Sequence, residues 1–220
     1  MLILNSDLSK GMVAKCIIQS GGGLDSPFIN LEDEPGQASL DSLGKALMDA
    51  GGLTDLQKMR AASYEELMAA QEASGIFAML HPHPDGKVLK EGFEASILGG
   101  RVADIPYMIG SVLGDHDNGE SEDPGINHFC LVREEMSSHP VYQYEFIREL
   151  PGEGDPGAYH SSELWYIFHT LDRSWRPFSE ADYALSKEMV GAWTSFCKTG
   201  NPGWDSYTRN HPYIKYFNIK

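Results

Sequence analysis

Apolar positions in this chain fall into short runs closed by glycine or proline and into longer stretches with helical spacing. Residues 13–20 (Val-Ala-Lys-Cys-Ile-Ile-Gln-Ser) form an apolar run that Gly21-Gly22-Gly23 stops, the pattern of a buried strand. Leu40, Leu43, Leu47 and Ala50 recur at helical spacing over 38–50, with Gly51-Gly52 as the stop. Ser63-Tyr-Glu-Glu66 is a capping box, in which each side chain satisfies a backbone N–H at the other's end, and it opens a second helix to about Gly75. Residues 105–111 (Ile-Pro-Tyr-Met-Ile-Gly-Ser) predict another buried strand, with Pro106 near its start, where a missing N–H is tolerable. An acidic, Gly-rich loop then runs to about Asn127, followed by a short helix over 128–138.

In 141–147, Val141, Gln143, Glu145 and Ile147 alternate with Tyr142, Tyr144 and Phe146, which predicts a strand ended by Pro151-Gly152. A short helix is expected from Ser161 to about His169. The longest helix opens at Ser179-Glu-Ala-Asp182, stacks Leu185, Met189, Trp193, Phe196 and Cys197 along one stripe, and closes at Gly200 and Pro202. Strands alternating with helices predict an α/β fold with mostly parallel strands, organised as a single domain over 1–220. Only three or four strands are visible, few for so many helices.

Charge narrows the function classes. The 17 basic and 32 acidic residues give a formal charge of −15, which disfavours nucleic acid, because phosphate binding needs a Lys/Arg surface. It equally disfavours an anionic membrane surface. Cys16, Cys130 and Cys197 are far apart and form no CxxC, so neither a disulfide framework nor a zinc site is indicated, and no cofactor is called for. The first residues lack the basic region of a signal peptide, no apolar run is long enough to span a bilayer, and the cytoplasm is the default compartment.

Two loops carry residues suited to chemistry. Val112-Leu-Gly-Asp115-His-Asp117 follows the second strand, and Gly157-Ala-Tyr-His160-Ser-Ser-Glu163 follows the third. Reactive groups of α/β enzymes sit at the carboxyl ends of strands. An acid followed 45 residues later by a histidine fits the chain order Ser…Asp/Glu…His, in which a carboxylate fixes the imidazole tautomer and the imidazole takes a hydroxyl proton. On spacing alone, a solvated acidic loop and a surface histidine are the plainer readings.

Other candidates are poorer. His81-Pro-His83-Pro-Asp85 is a stiff loop without a third ligand close by, so it is not expected to hold a metal. Ser20-Gly21-Gly22-Gly23 is not followed by a phosphate-binding pattern and reads as a strand exit. Leu164-Trp165-Tyr166-Ile167-Phe168 reads as core, and Glu163 as a carboxylate placed in the first turn of its helix, where the dipole favours it. Ser20 and Ser161 are remote candidates for a nucleophile, since neither sits on a strand–nucleophile–helix turn. No G-x-S-x-G occurs in the sequence.

The run from Pro151 through His160-Ser-Ser-Glu163 to Phe168 resembles the histidine segment of the type-B carboxylesterases, the family of the para-nitrobenzyl esterases and cholinesterases. Trp175-Arg-Pro-Phe178, Met189 to Phe196, Lys198-Thr-Gly-Asn-Pro202 and Trp204-Asp-Ser-Tyr207 resemble that family's C-terminal helix and closing segment. Asp85 to Leu89, Ile105 to Gly110, and Ser9 to Gly22 are similar, in the same order, to segments further upstream. The resemblance implies the C-terminal part of an α/β-hydrolase fold, incomplete, with His160 as the catalytic histidine and Asp115, the fifth residue after Gly110, as the acid, Asp117 being the reserve.

The chain departs from the family in three respects. The family's Asn-Lys-Asp-Glu-Gly is here Val-Leu-Gly-Asp-His, and the helices that line the family's gorge before His128 are replaced by a short polar bridge. The nucleophile elbow and oxyanion glycines would lie before Met1, and the five residues left of the nucleophile helix are expected to be too few to nucleate a helix alone. The implied function is a serine carboxylesterase's acid and base, inactive as an isolated chain, with a small ester as substrate once an upstream half completes it. A non-catalytic binding or adhesion module on the same fold is the alternative. Half a sheet is also expected to expose an apolar strand edge through which chains self-associate.

Overall fold

The computed structural model describes residues 2–21, 24, 39–76, 82–115, 123–154 and 157–219. Two compact units can be distinguished, one formed by Met1–Ser26 with Phe93–Lys220 and the other by Pro27–Gly92.

The larger unit is built on a parallel four-stranded sheet in the order β1 (Cys16–Gln19), β2 (Tyr107–Val112), β3 (Val141–Phe146), β4 (Ile214–Phe217). The β2–β3 register runs unbroken from Tyr107 opposite Val141 to Val112 opposite Phe146. Both strands are buried at every position, as parallel strands covered on two faces require. This accounts for the polar Gln143 and Glu145, which alternation would place on a solvated face and which lie buried instead. Gly110 is the position where this pairing admits no side chain: a Cβ there would collide with the backbone oxygen and ring of Tyr144.

β1 is shorter than the predicted run and forms one edge of the sheet; β4 forms the other. The sequence reading does not include β4, because Ile-Lys-Tyr-Phe is short and half polar. Its strand conformation is set by tertiary contact: Phe217 lies against Tyr144, Trp193 and Trp204, and the Phe217 carbonyl accepts the Ile147 N–H at 3.0 Å.

Several helices differ from expectation. α1 (Leu2–Asn5) is helical despite its length. Leu4 is buried and its carbonyl accepts the Ala103 N–H at 3.3 Å, so packing supplies what local nucleation cannot. α2 (Leu40–Ala50) and α4 (Tyr64–Ser74) match the predicted helices and pack on each other in the smaller unit; the Ser63–Glu66 capping box is formed. α3 (Leu56–Ala61) and α5 (Phe93–Leu98) are too short to show helical periodicity in the sequence. α6 spans Pro124–Met136, beginning four residues before the predicted start, because Asp123 caps it through the Gly125 and Ile126 N–H groups and Pro124 fills its first position. The expected loop to Asn127 is therefore helical at its end.

α7 is a single turn (Leu164–Ile167), and α8 (Glu180–Thr199) is the long helix that covers one sheet face with Leu185, Met189, Trp193 and Phe196. Of the aromatic run, Tyr166 and Ile167 are core, whereas Leu164 and Phe168 are exposed. Among the described residues no helix is long and apolar enough to cross a membrane.

α7, α8 and the end of β3 are tied together by one buried carboxylate. Asp182 is fully buried and accepts from Arg148 Nε and Tyr166 Oη at 2.8 Å each, from the Ser179 N–H at 2.8 Å and from Ser179 Oγ at 2.7 Å. Burial by itself would raise this carboxyl, but the donors, Arg148 foremost, outweigh it and hold the group at about 2. A carboxylate lowered from 3.8 to about 2 on folding contributes on the order of 2 kcal/mol that is present above pH 4 and lost as the pH falls toward 2. Acid unfolding followed by circular dichroism should therefore steepen between pH 4 and 2, and Asp182→Asn should flatten that segment while lowering stability at pH 7 by about 3 kcal/mol.

Candidate active site

β2 continues into a 3₁₀ turn, Leu113–Asp115, which brings the acid immediately to the strand's carboxyl end. Asp115 is fixed from two sides. Its Oδ2 accepts the Val112 N–H at 3.0 Å, folding the side chain back over its own strand, and Oδ1 lies 2.6 Å from His160 Nδ1. The aspartate side chain is 15% exposed and the imidazole 67%. With Nδ1 engaged by the carboxylate, the neutral ring carries its proton there and leaves Nε2 able to accept. The two residues singled out in the sequence are thus brought together across 45 positions. Asp117, the reserve acid, lies outside the described residues.

The histidine loop is held against the acid loop by backbone. Gly114 N–H donates to the Ala158 carbonyl at 2.7 Å, and Leu150 N–H donates to the Gly157 carbonyl at 3.0 Å. At Gly114 the loops are so close that a Cβ would overlap the Ala158 carbonyl and press on Tyr159 Cα. Beyond His160 the chain turns sharply: Ser161 has a φ of 71°, left-handed for a residue with a side chain, and Ser162 N–H closes the turn on the Tyr159 carbonyl at 2.9 Å. Arg176 braces the loop from outside, donating to the Pro151 carbonyl at 3.0 Å and lying over the Tyr159 ring.

Glu163 behaves differently from its sequence reading. It precedes α7 as the cap position, makes no side-chain capping bond, and turns inward. It is 2% exposed, and Oε1 accepts from Gln19 Nε2 at 3.2 Å at the end of β1. Gln19 Oε1 in turn accepts the Trp193 indole N–H at 3.2 Å. The only signal for this in the sequence was the three-residue spacing from His160. Burial pushes the Glu163 carboxyl up, and the Asp115 charge adds to that, while its own N–H, Gln19 and His160 act in the opposite direction.

Ser20 follows β1 with a φ of 48° and a buried hydroxyl, and Ser161 lies in the turn just described. His81 lies outside the described residues, and no group of three or more His, Cys, Asp or Glu among the described residues could hold a metal ion. The Gly114 approach gives a direct test of how the loops are positioned. Gly114→Ala should separate them, destabilise the chain by about 1–3 kcal/mol and abolish the downfield Nδ1 proton resonance expected of an imidazole hydrogen-bonded to a carboxylate.

Comparison with known proteins bears on the fold in which these residues sit. Residues 124–219 match the sequence model of the carboxylesterase family. Bovine (Bos taurus) carboxylesterase 4A is 33% identical over a segment covering 34% of this chain and 16% of that protein. The solved structure of a thermophilic PNB esterase overlays 99% of this chain with a TM-score of 0.76 at 20% identity, and a second PNB esterase does so at 0.74 and 20%. The carboxylesterase of Geobacillus stearothermophilus overlays 99% with a TM-score of 0.71 at 20% identity. In each of these three structures the chain spans 56% of the relative's length. The fold is therefore part of the α/β-hydrolase type found in these esterases. Residues 124–219 are thus similar in sequence to the carboxylesterase family, and nearly the whole chain is similar in fold to these esterases.

Proposed function

We propose that this chain carries the acid and the base of a serine carboxylesterase, Asp115 and His160, and that the nucleophilic serine and the oxyanion donors come from polypeptide outside these 220 residues. The observation that carries the reading is the 2.6 Å contact between Asp115 Oδ1 and His160 Nδ1 at the carboxyl end of adjacent parallel strands. A binding module would have no use for an imidazole engaged by a carboxylate at Nδ1 on a largely exposed side chain.

In the proposed reaction, His160 Nε2 takes the serine hydroxyl proton as the serine oxygen forms a bond to the ester carbonyl carbon. The electron pair of the carbonyl moves onto its oxygen, and the tetrahedral species collapses with loss of the alcohol, which receives the proton from Nε2. Water then repeats the sequence on the acyl-enzyme and releases the carboxylic acid. Asp115 keeps its proton-free state and balances the imidazolium between the two transfers. Asp115 and His160 alone cannot perform this. Loss of the serine from an intact triad removes about a millionfold in turnover, and what survives comes from the oxyanion hole and binding.

The chain alone should therefore show no ester hydrolysis above background and no labelling by a fluorophosphonate probe. Joined to the coding sequence directly upstream, it should label, and His160→Ala should reduce the labelling rate by at least about a thousandfold. Absence of labelling in the joined protein would sink the proposal.

A further inference from the structure

The His160 ring is largely exposed, so its place depends on Asp115 and on the backbone that carries it more than on a packed wall. That backbone is under constraint. Ser161, directly after it, holds a φ of 71°, and such a conformation persists only where neighbouring contacts enforce it. Strand direction and backbone bonds bring the histidine loop to the acid loop; how long the 2.6 Å contact lasts depends on how firmly the residues on either side of His160 are held.

One side chain reaches both ends of that loop. Arg176 Nη1 donates to the carbonyl of Pro151, where the loop begins, and the guanidinium lies 5.8 Å from the ring centre of Tyr159, the residue before His160. Its other side lies 4.7 Å from the ring centre of Trp175. Gly152 runs against the same pair: a Cβ there would come within 3.2 Å of Arg176 Nη1 and 3.6 Å of Trp175 Cζ3. Arg133, Arg148 and Arg209 each pair with a carboxylate, whereas Arg176 bonds a carbonyl and lies over two rings. Its own backbone is fixed, the N–H donating to Ser174 Oγ at 3.2 Å and the carbonyl accepting the Phe178 N–H at 2.9 Å. Phe178 meets Tyr166 edge to face, and Tyr166 bonds Asp182, so the clasp is rooted in the buried start of α8.

We propose that Arg176 is a positioning residue for His160: bonded to the Pro151 carbonyl and lying over the rings of Tyr159 and Trp175, it closes the loop on itself and fixes the backbone from which the imidazole reaches Asp115. This rests on the acid–base reading above and deepens it. The role needs a flat cation with a fork of donors, which stacks on a ring while bonding a carbonyl in its own plane; a lysine, a point charge on a flexible stem, cannot do both. Tyr159 is the handle. Its ring is held by the guanidinium and its carbonyl by the Ser162 N–H, so the residue preceding the histidine is gripped at side chain and backbone alike.

The test needs no turnover and uses the full chain. Solvent exchange of the His160 Nδ1 proton is measured by NMR in the unaltered protein and in Arg176→Gln, Arg176→Lys, Tyr159→Phe and Tyr159→Leu, with the backbone amides of β2 and β3 as the record of global stability. Arg176→Gln and Tyr159→Leu should each speed Nδ1 exchange by about tenfold while the strand amides stay unchanged. Tyr159→Phe keeps the ring and should leave the rate unaltered; Arg176→Lys should exchange nearly as fast as Arg176→Gln. The double variant Arg176→Gln/Tyr159→Leu should be no faster than Arg176→Gln alone, because the ring acts through the guanidinium. An unchanged rate in Arg176→Gln and Tyr159→Leu overturns the role of Arg176, and so do losses that add in the double variant or strand amides that accelerate by the same factor. Each of these leaves the dyad standing. An Nδ1 proton indifferent to Asp115→Asn overturns the acid–base reading itself. Should Arg176→Gln fail to fold, Tyr159→Leu against Tyr159→Phe decides: equal rates in the two overturn the proposal.

Discussion

The in-register parallel pairing of β2 with β3 is the constraint on which the rest depends. Parallel strands present their carboxyl ends on one side, so the residues leaving Val112 and those leaving Phe146 start as neighbours. The 3₁₀ turn then needs only three residues to deliver Asp115. The longer path to His160 is made definite by two backbone bonds, Leu150 to Gly157 and Gly114 to Ala158. Nothing about the dyad requires a long-range side-chain network; it is a consequence of strand direction and two close backbone approaches.

Much of this was legible in the residues. β2, β3 and α8 stand out because apolar runs closed by glycine and a long amphipathic stripe are strong local signals. The acid and the histidine could be placed because both follow such strands. What the sequence conceals is structure made by tertiary contact. α1 is stabilised by the burial of Leu4, and β4 by Phe217 against three aromatic rings. Neither has a local pattern to betray it. The early start of α6 was readable in Asp123-Pro124, an N-cap followed by proline, but the surrounding acidic residues disguised it as loop.

The inward turn of Glu163 was the least legible feature. A glutamate at a helix start is ordinarily explained by the helix dipole. Its partner, Gln19, is 144 positions away and belongs to a strand that looks purely structural. Local reasoning explains each of these two residues separately, and only the fold shows that they bond to each other.

β4 has a consequence for the integrity of the chain. Phe217 closes an aromatic cluster with Tyr144, Trp193 and Trp204 and bonds to Ile147 just beyond β3. Loss of β4 would open the core beneath the strand that leads to the histidine loop.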